Sequence, residues 1–158
     1  MSFTLHQLAP DDRPLLEAML AMFGTAFKDK DTYTGKKPGT DYIRMLLSSD
    51  SFIALTALKE GDVVGGLAAY ELKKFEQERS EIYIYDLAVL EKHRRQGLAT
   101  ALIRRLQEIA AARGAYVIFV QADTSTEDEA AIALYEKLGK REEVLHFDIP
   151  VPPIKNSK

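Results

Sequence analysis

Residues 81–120 of this 158-residue chain read EIYIYDLAVLEKHRRQGLATALIRRLQEIAAARGAYVIFV, and this stretch decides the fold. Its first nine residues are rich in β-branched and aromatic side chains, which predicts a long strand at the centre of a sheet. Apolar side chains then recur at helical spacing from Leu98 to Ile109, and Gly114 predicts the end of that helix. A second short apolar run follows at 116–120. Strand, helix and strand in this order predict two parallel neighbouring strands joined by a helix.

The sequence on either side adds antiparallel strands and further helices. These elements are predicted, in chain order, as a strand at 3–8, a helix at 15–23 ended by Gly24, an exposed loop at 28–40, a short helix at 42–47, a hairpin of strands 52–58 and 63–70, a helix at 128–138 and a last strand at 144–149. The pattern predicts an α/β (α+β) fold with a central mixed sheet flanked by helices. We expect a single domain over residues 1–149 and a frayed tail over 150–158.

The composition excludes several classes of protein. Apolar residues make up 46% and charged residues 28% of the chain, which is typical of a globular protein. The chain contains no cysteine, so disulfides, cysteine-ligated zinc and a thiol nucleophile are excluded. No apolar stretch reaches the roughly 18 residues of a membrane span, and the first residues lack the pattern of a secretory leader. We therefore expect a cytoplasmic protein with no membrane partner.

Charge is distributed unevenly along the chain, although the net charge is only −3. Residues 91–113 carry six basic side chains against two acidic ones, whereas residues 123–148 carry eight acidic side chains against three basic ones. The net charge argues against nucleic-acid binding. The two segments indicate either an anionic ligand held by one and a cationic ligand held by the other, or two solvated helix faces.

Residues 94–99, RRQGLA, lie between the predicted central strand and the helix that follows it. At such a junction, backbone N–H groups and the helix dipole can hold an anion. Gly97 would let the backbone approach a phosphate closely, and the two arginines add positive charge. The segment is neither a P-loop nor a dinucleotide-binding glycine motif. Taken alone, it indicates an anion site or an ordinary surface helix start.

Residues 86–99 resemble the acyl-CoA-binding motif of the GNAT superfamily of N-acetyltransferases. In that family the motif is R/Q-x-x-G-x-G/A, and Arg94, Gly97 and Ala99 match it at each position. A second family feature, a late helix ending in Leu-Tyr and then Gly, matches residues 131–139. The resemblance covers nearly the whole chain and implies the GNAT acyl-CoA N-acyltransferase fold.

A narrower resemblance is to the aminoglycoside 3-N-acetyltransferases of the gentamicin and fortimicin type. It is carried by residues 75–77, 79–89, 114–118 and 141–148. The late helix departs from many relatives, because Asp128 stands where Asn is common and Lys140 where Phe is common. These departures concern the packing of that helix rather than the cofactor chemistry.

The resemblance implies a reaction and its co-substrate. Acetyl-CoA would donate an acetyl group to an aminoglycoside amine by direct attack in a ternary complex, which confers antibiotic resistance. The absence of cysteine agrees with direct attack, since no acyl-cysteine can form. The resemblance also implies a homodimer, and three scattered histidines suggest no metal site. The positions implied to bind the cofactor are Leu87, Ala88, Val89, Arg94, Arg95, Gln96, Gly97, Leu98, Ala99 and Thr100.

The chemistry needs a carboxylate, because an alkylamine is mostly protonated at neutral pH and cannot attack. Asp86 stands at the end of the predicted central strand and is the first candidate for a general base or a substrate anchor. The alternative is a strand-end Asp that bonds a turn. The candidates for binding an aminoglycoside, each as readily an ordinary surface residue, are Glu81, Tyr83, Glu142, Glu143 and Asp148.

Tyr135 matches the helix tyrosine of the family, whose hydroxyl can protonate the departing CoA thiolate. Its alternative role is that of a core aromatic on an amphipathic helix. Two further functions stay open for the whole chain. One is a GNAT enzyme that acetylates a polyamine or a protein amino group. The other is a non-catalytic acyl-CoA-binding protein with the same fold.

Overall fold

The computed structural model describes residues 2–154, so Met1 and residues 155–158 of the predicted tail lie outside it. The described residues form two compact units, one ending at Gln121 and the other beginning at Ala122, and the predicted single domain stays a prediction. The elements are β1 (Thr4–Gln7), α1 (Arg13–Ala26), α2 (Lys30–Thr34), α3 (Thr40–Ser48), β2 (Phe52–Lys59), β3 (Asp62–Lys73), β4 (Ser80–Val89), α4 (Leu98–Arg113), β5 (Ala115–Val120) and α5 (Glu129–Leu138).

The first unit is built on a five-stranded mixed sheet in the order β1-β2-β3-β4-β5. Strands β1 to β4 pair antiparallel, and β4 pairs parallel with β5 across the connection through α4. The predicted mixed sheet and parallel strand pair are therefore confirmed. The prediction that β4 is the central strand is wrong by one position, because the β2–β3 hairpin and β1 extend the sheet on one side. β3 is the middle strand of the five, and β4 is an interior strand next to it.

Helices cover both faces of this sheet. On one face, α1 and α3 bury Met19, Phe23 and Ile43 against the small strand residues Ala54 and Ala68. These small side chains let the helices lie close to the strands, and burial of each large apolar side chain contributes about 1.5–3 kcal/mol. Strand alternation turns the neighbouring residues to the opposite face, where α4 packs. The apolar residues that α4 buries are Leu98, Leu102, Ile103, Leu106 and Ala110.

Two predictions for the segment after α1 are wrong. The helix does not end at Gly24 but continues for two more residues, and the predicted loop at 28–40 contains the helix α2. A Cβ added at Gly24 would lie 3.4 Å from the Lys30 Cα. Gly24 therefore lies inside α1 and against α2, at ordinary contact distance, rather than at the end of α1. Asp29 starts α2, since its side chain accepts a hydrogen bond from the Thr32 backbone N–H at 3.3 Å.

The second unit contains the predicted late helix, α5, and then a segment without regular structure. Residues 140–154 form neither helix nor strand, so the predicted strand at 144–149 is wrong. Alternating apolar residues favour a strand only where a partner buries one face of it. Here Phe147 is 76% exposed and Ile149 is 84% exposed. The apolar side chains of the alternating pattern are therefore not buried against a partner.

Candidate active site

A bulge interrupts β4 at the point where the sequence predicted catalysis. Ile84 is opposite Ala69 and Asp86 is opposite Ala68, which leaves Tyr85 as an extra residue in β4. An extra residue twists a strand and changes the direction of the neighbouring side chains. Tyr85 is 60% exposed, whereas Asp86 beside it is half-buried.

Beyond the bulge, β4 has an unpaired edge. Its pairing with β5 ends at Ile84 and Val120, so within residues 2–154 the stretch 86–89 pairs with β3 alone. Backbone N–H and C=O groups on the β5 side are therefore available to a ligand in extended conformation. Leu87, Ala88 and Val89, which the resemblance assigned to cofactor binding, lie on this edge. A pantetheine arm, which carries amide groups, fits such an edge.

The loop before α4 has a backbone that suits an anion. Arg95 and Gly97 have positive φ angles of 63° and 80°, and no side chain caps the first turn of the helix. A Cβ added at Gly97 would meet nothing within 4 Å, so the space over the loop is open. Free N–H groups, the positive end of the helix dipole and this open space fit the pyrophosphate of CoA.

Side chains of the same loop are fixed from two directions. The Arg94 Nε donates to the Val89 carbonyl oxygen at 2.9 Å and ties the loop to the end of β4. The Lys59 Nζ on β2 donates to the Gln96 Oε1 at 2.7 Å. The loop is thus held by contacts to two strands. The other predicted cofactor positions are the exposed Arg95, the buried Leu98 and the half-buried Ala99 and Thr100.

Asp86 has a partner that the sequence analysis missed. The Tyr33 hydroxyl, on α2, donates a hydrogen bond to the Asp86 Oδ2 at 3.0 Å. Burial raises the pKa of Asp86 above its ordinary value, and the hydrogen bond from Tyr33 partly opposes this. Burial and the neighbouring carboxylate raise the pKa of Tyr33, so its hydroxyl stays protonated. No periodic pattern marks Tyr33, and only the packing of α2 reveals it.

Aromatic rings form a continuous row on either side of the bulge. Phe52 contacts Tyr70 with centroids 5.4 Å apart, and Tyr70 meets Tyr85 edge-on at 5.8 Å. Tyr85 meets Tyr83 at 5.9 Å, and Tyr83 stacks on Phe119 at 4.8 Å. Burial raises the pKa values of Tyr70 and Tyr83. Tyr83, a predicted substrate residue, thus belongs to an aromatic surface that includes the residue next to Asp86.

Glu81, a further predicted substrate residue, lies at the opposite end of β4 from Asp86. The two residues are five positions apart, about 16 Å along a strand. The Glu81 Oε1 accepts a hydrogen bond from the Tyr116 hydroxyl at 2.6 Å and lies 3.4 Å from the Lys74 Nζ. The structure does not bring Glu81 and Asp86 together, and Glu81 is occupied by its own partners.

The remaining predicted residues belong to the second unit. Glu142, Glu143 and Asp148 are exposed in the irregular segment, and the Asp148 Oδ1 lies 2.8 Å from the His146 Nε2. Tyr135 is half-buried on α5, and burial together with the Asp128 carboxylate raises its pKa to about 12. A phenol with this pKa is protonated at neutral pH and can donate a proton. The roles assigned to these residues stay predictions.

No group of three or more histidine, aspartate or glutamate side chains within residues 2–154 is arranged to hold a metal ion. No helix within this range has both the length and the apolar character needed to cross a membrane.

Comparison with known proteins agrees with this geometry. The family model described as the acetyltransferase (GNAT) family matches residues 16–140, which include β4, the loop before α4 and α5. The chain belongs to this family. GNAT enzymes use acetyl-CoA.

Solved GNAT structures match nearly the full chain. The aminoglycoside acetyltransferase HMB0005 from an uncultured soil metagenomic sample is 70% identical, with a TM-score of 0.95 over 96% of this chain and 100% of that one. The aminoglycoside acetyltransferase meta-AAC0020, also from an uncultured soil metagenomic sample and solved in complex with sisomicin, is 30% identical. Its TM-score is 0.85 over 95% of this chain and 97% of that one.

Curated relatives are more distant. Human N-acetyltransferase 8 is 30% identical over 119 residues, which is 68% of this chain. N-acetyltransferase family 8 member 3 of the mouse is 32% identical over 99 residues, which is 63% of this chain. The matched regions are 52% and 43% of those proteins, so the chain spans about half the length of the curated relatives it matches.

Proposed function

We propose that the chain is an aminoglycoside 3-N-acetyltransferase that transfers acetyl from acetyl-CoA to an amine of the antibiotic and so confers resistance. The observation that carries this proposal is the 70% identity to the aminoglycoside acetyltransferase HMB0005 over 96% of the chain. The sisomicin complex of meta-AAC0020 supports the same substrate class. The 3-N position rests on the resemblance of residues 75–77, 79–89, 114–118 and 141–148 to that subfamily.

Two features of the first unit would hold acetyl-CoA. The N–H groups at the start of α4, with Arg94 and Arg95, would bind the pyrophosphate. The unpaired edge of residues 85–89 would bind the amides of the pantetheine arm by backbone hydrogen bonds. Bound in this way, the co-substrate supplies an activated acetyl group beside the β4 bulge.

The proposed reaction assigns proton transfers to two side chains. Asp86 takes one proton from the substrate ammonium, which frees the nitrogen lone pair, and passes it to solvent. The C–N bond then forms as the thioester C–S bond breaks, and the nitrogen loses a second proton to solvent. Tyr135 donates its hydroxyl proton to the leaving thiolate and regains one from solvent. The net result is one amide, one thiol and one released proton.

An aminoglycoside offers several ammonium groups on sugar rings, and the site offers matching chemistry. The row of aromatic rings that includes Tyr83 and the exposed Tyr85 can contact sugar C–H groups and ammonium groups. We assign Glu142, Glu143 and Asp148 to the binding of further ammonium groups, on the basis of their charge. Glu81 is the weakest of these candidates because Tyr116 and Lys74 already occupy its carboxylate.

Thiol release from acetyl-CoA tests the proposal against its alternatives. We expect rapid release with gentamicin-like aminoglycosides and slow release with spermidine or histone-type peptides. Faster release with spermidine or a peptide would favour a GNAT enzyme with another amine substrate. Tight binding of acetyl-CoA without turnover of any amine would favour a non-catalytic protein.

We propose a cytoplasmic homodimer as the working form, as the subfamily resemblance implies. Exposed apolar side chains in the second unit support self-association, since their burial between two copies is favourable. Molar mass measured by light scattering tests this proposal directly. The exposed apolar residues are Val144, Leu145, Phe147, Ile149, Val151 and Ile154.

A further inference from the structure

Tyr33 reaches the Asp86 carboxylate from α2, 53 positions earlier in the chain. Its hydroxyl donates to the Oδ2 atom at 3.0 Å. Within residues 2–154, neither a second hydrogen bond nor an ion pair to Asp86 is present, so the other oxygen, Oδ1, has no protein partner there. One carboxylate oxygen is therefore held by the protein, and the other is left for a ligand.

The Tyr33 ring is itself held in place. It contacts Phe23 with centroids 5.7 Å apart and Phe27 at 5.6 Å. A Cβ added at Gly24 on α1 would lie 3.5 Å from the Tyr33 Cβ, an ordinary contact distance. Aromatic packing and close helix approach thus fix the ring, so that its hydroxyl is positioned before a substrate arrives.

We propose that Tyr33 is a positioning residue for Asp86, holding Oδ2 so that Oδ1 faces the substrate ammonium. The inference rests on the proposed function, in which Asp86 accepts a proton from the attacking amine. Tyr33 does not contact the reacting atoms in this account. It fixes the orientation of the carboxylate and favours its ionised form, since a donated hydrogen bond stabilises a carboxylate.

The surroundings of Asp86 allow the effect of the Tyr33 hydrogen bond on the pKa of Asp86 to be measured separately. Within residues 2–154, the phenols that interact with the Asp86 carboxylate are those of Tyr33 on α2, Tyr70 on β3 and Tyr83 on β4. No lysine or arginine in the described part of the chain pairs with it. Burial raises the pKa of Asp86, and the Tyr33 hydrogen bond lowers it. Removing that hydrogen bond must raise the pKa further.

The test compares the pH dependence of kcat/KM for the wild type, Tyr33→Phe and Tyr116→Phe, with acetyl-CoA and one aminoglycoside. Tyr33→Phe keeps the packed ring and loses the hydroxyl. We expect its acidic limb to move to higher pH and its kcat/KM at neutral pH to fall about tenfold. Tyr116→Phe removes an equivalent hydrogen bond, to Glu81, and should leave the acidic limb where it is.

A second measurement does not depend on activity. Titration of the Asp86 carboxyl by NMR in the substrate-free protein should give a higher pKa in folded Tyr33→Phe than in the wild type. An unchanged Asp86 titration, or superimposable pH profiles, would overturn the inference. A shift caused by Tyr116→Phe instead would also overturn it, since Glu81 would then be the titrating group. A wild type inactive on every aminoglycoside would refute the proposed function, and the NMR titration would still decide the role of Tyr33.

Discussion

At the scale of single residues, Asp86 combines burial with a protein partner on one of its two oxygens. We expect Asp86→Asn to lower kcat/KM by roughly 10² to 10⁴, the range typical of a lost general base. In the wild type, activity should fall as the pH decreases through the pKa of Asp86, which burial places above the ordinary aspartate value. Steady-state kinetics from acidic to mildly alkaline pH measure both effects. Near-normal activity of Asp86→Asn would show that another carboxylate is the base.

The same substitution makes an opposite prediction for stability. A carboxyl whose pKa is raised by folding binds its proton more tightly in the folded state, so its ionised form opposes folding at neutral pH. This destabilisation decreases as the pH falls through the raised pKa of the folded state, and it is absent below the ordinary aspartate pKa. Asp86→Asn should therefore keep or raise the Tm at neutral pH while it removes activity. A clearly lower Tm would mean that Asp86 has a structural role.

Substitution of Tyr135 should lower activity less than substitution of Asp86. Its pKa of about 12 keeps the hydroxyl protonated at neutral pH, as a proton donor requires. A CoA thiolate can leave without help, so we expect Tyr135→Phe to lower kcat about tenfold to a hundredfold and to preserve the fold. Single-turnover kinetics with melting curves measure this. Full activity of the variant would exclude Tyr135 as the proton donor.

At the scale of elements, the start of α4 carries the cofactor assignment. Gly97→Glu places a carboxylate where the pyrophosphate should lie and should abolish acetyl-CoA binding, measured by calorimetry. Gly114→Glu is a matched control at the other end of the helix, because Gly114 has a φ of 79° and equally open space. Both variants carry the same backbone strain and added charge. Equal acetyl-CoA affinity in the two would contradict the assignment.

The contact between α1 and α2 allows a graded test at Gly24. An added methyl group meets Lys30 and Tyr33 at 3.4 Å and 3.5 Å, ordinary contact distances. Gly24→Ala should therefore stabilise the helix by about 0.5–1 kcal/mol and leave activity unchanged. Gly24→Leu should displace α2, move Tyr33 from Asp86 and lower kcat/KM about tenfold. Denaturant unfolding and kinetics separate the two effects, and full activity of Gly24→Leu would show that α2 placement does not matter.

Elements with a strong local pattern could be predicted, and those defined by packing could not. The β4–α4–β5 unit carries its own signals in strand composition, helical spacing and a terminal glycine. α2 has only five residues and begins at the Asp29 cap, so its sequence resembles a loop. The prediction of a strand at 144–149 was wrong for the opposite reason. The alternating pattern is present there, but its apolar side chains are not buried.

The residues of the candidate site likewise fall into those that a sequence motif marks and those that only tertiary contacts define. Asp86 and the loop around Gly97 could be found because a motif marks them in the chain. Tyr33 could not be found, because its role arises from a contact between residues 53 positions apart. Glu81 was predicted from its charge, which does not reveal that Tyr116 and Lys74 already hold it.

At the scale of the whole molecule, the basic and acidic segments fit the two substrates of the proposed reaction. The basic segment 91–113 contains the loop and the helix α4, which we propose bind the CoA phosphates. The acidic side chains at 123–148 would attract a polycation. Transfer of one acetyl group from the first substrate to the second is the central claim.

Product analysis tests this claim most directly. The full chain is incubated with acetyl-CoA and a gentamicin-like aminoglycoside, and the product is examined by mass spectrometry and two-dimensional NMR. We expect a single added acetyl group on the 3-amino nitrogen. Acetylation at another amine would refute the 3-N assignment alone. An unmodified aminoglycoside, together with acetylation of spermidine or a histone-type peptide under the same conditions, would contradict the proposed function.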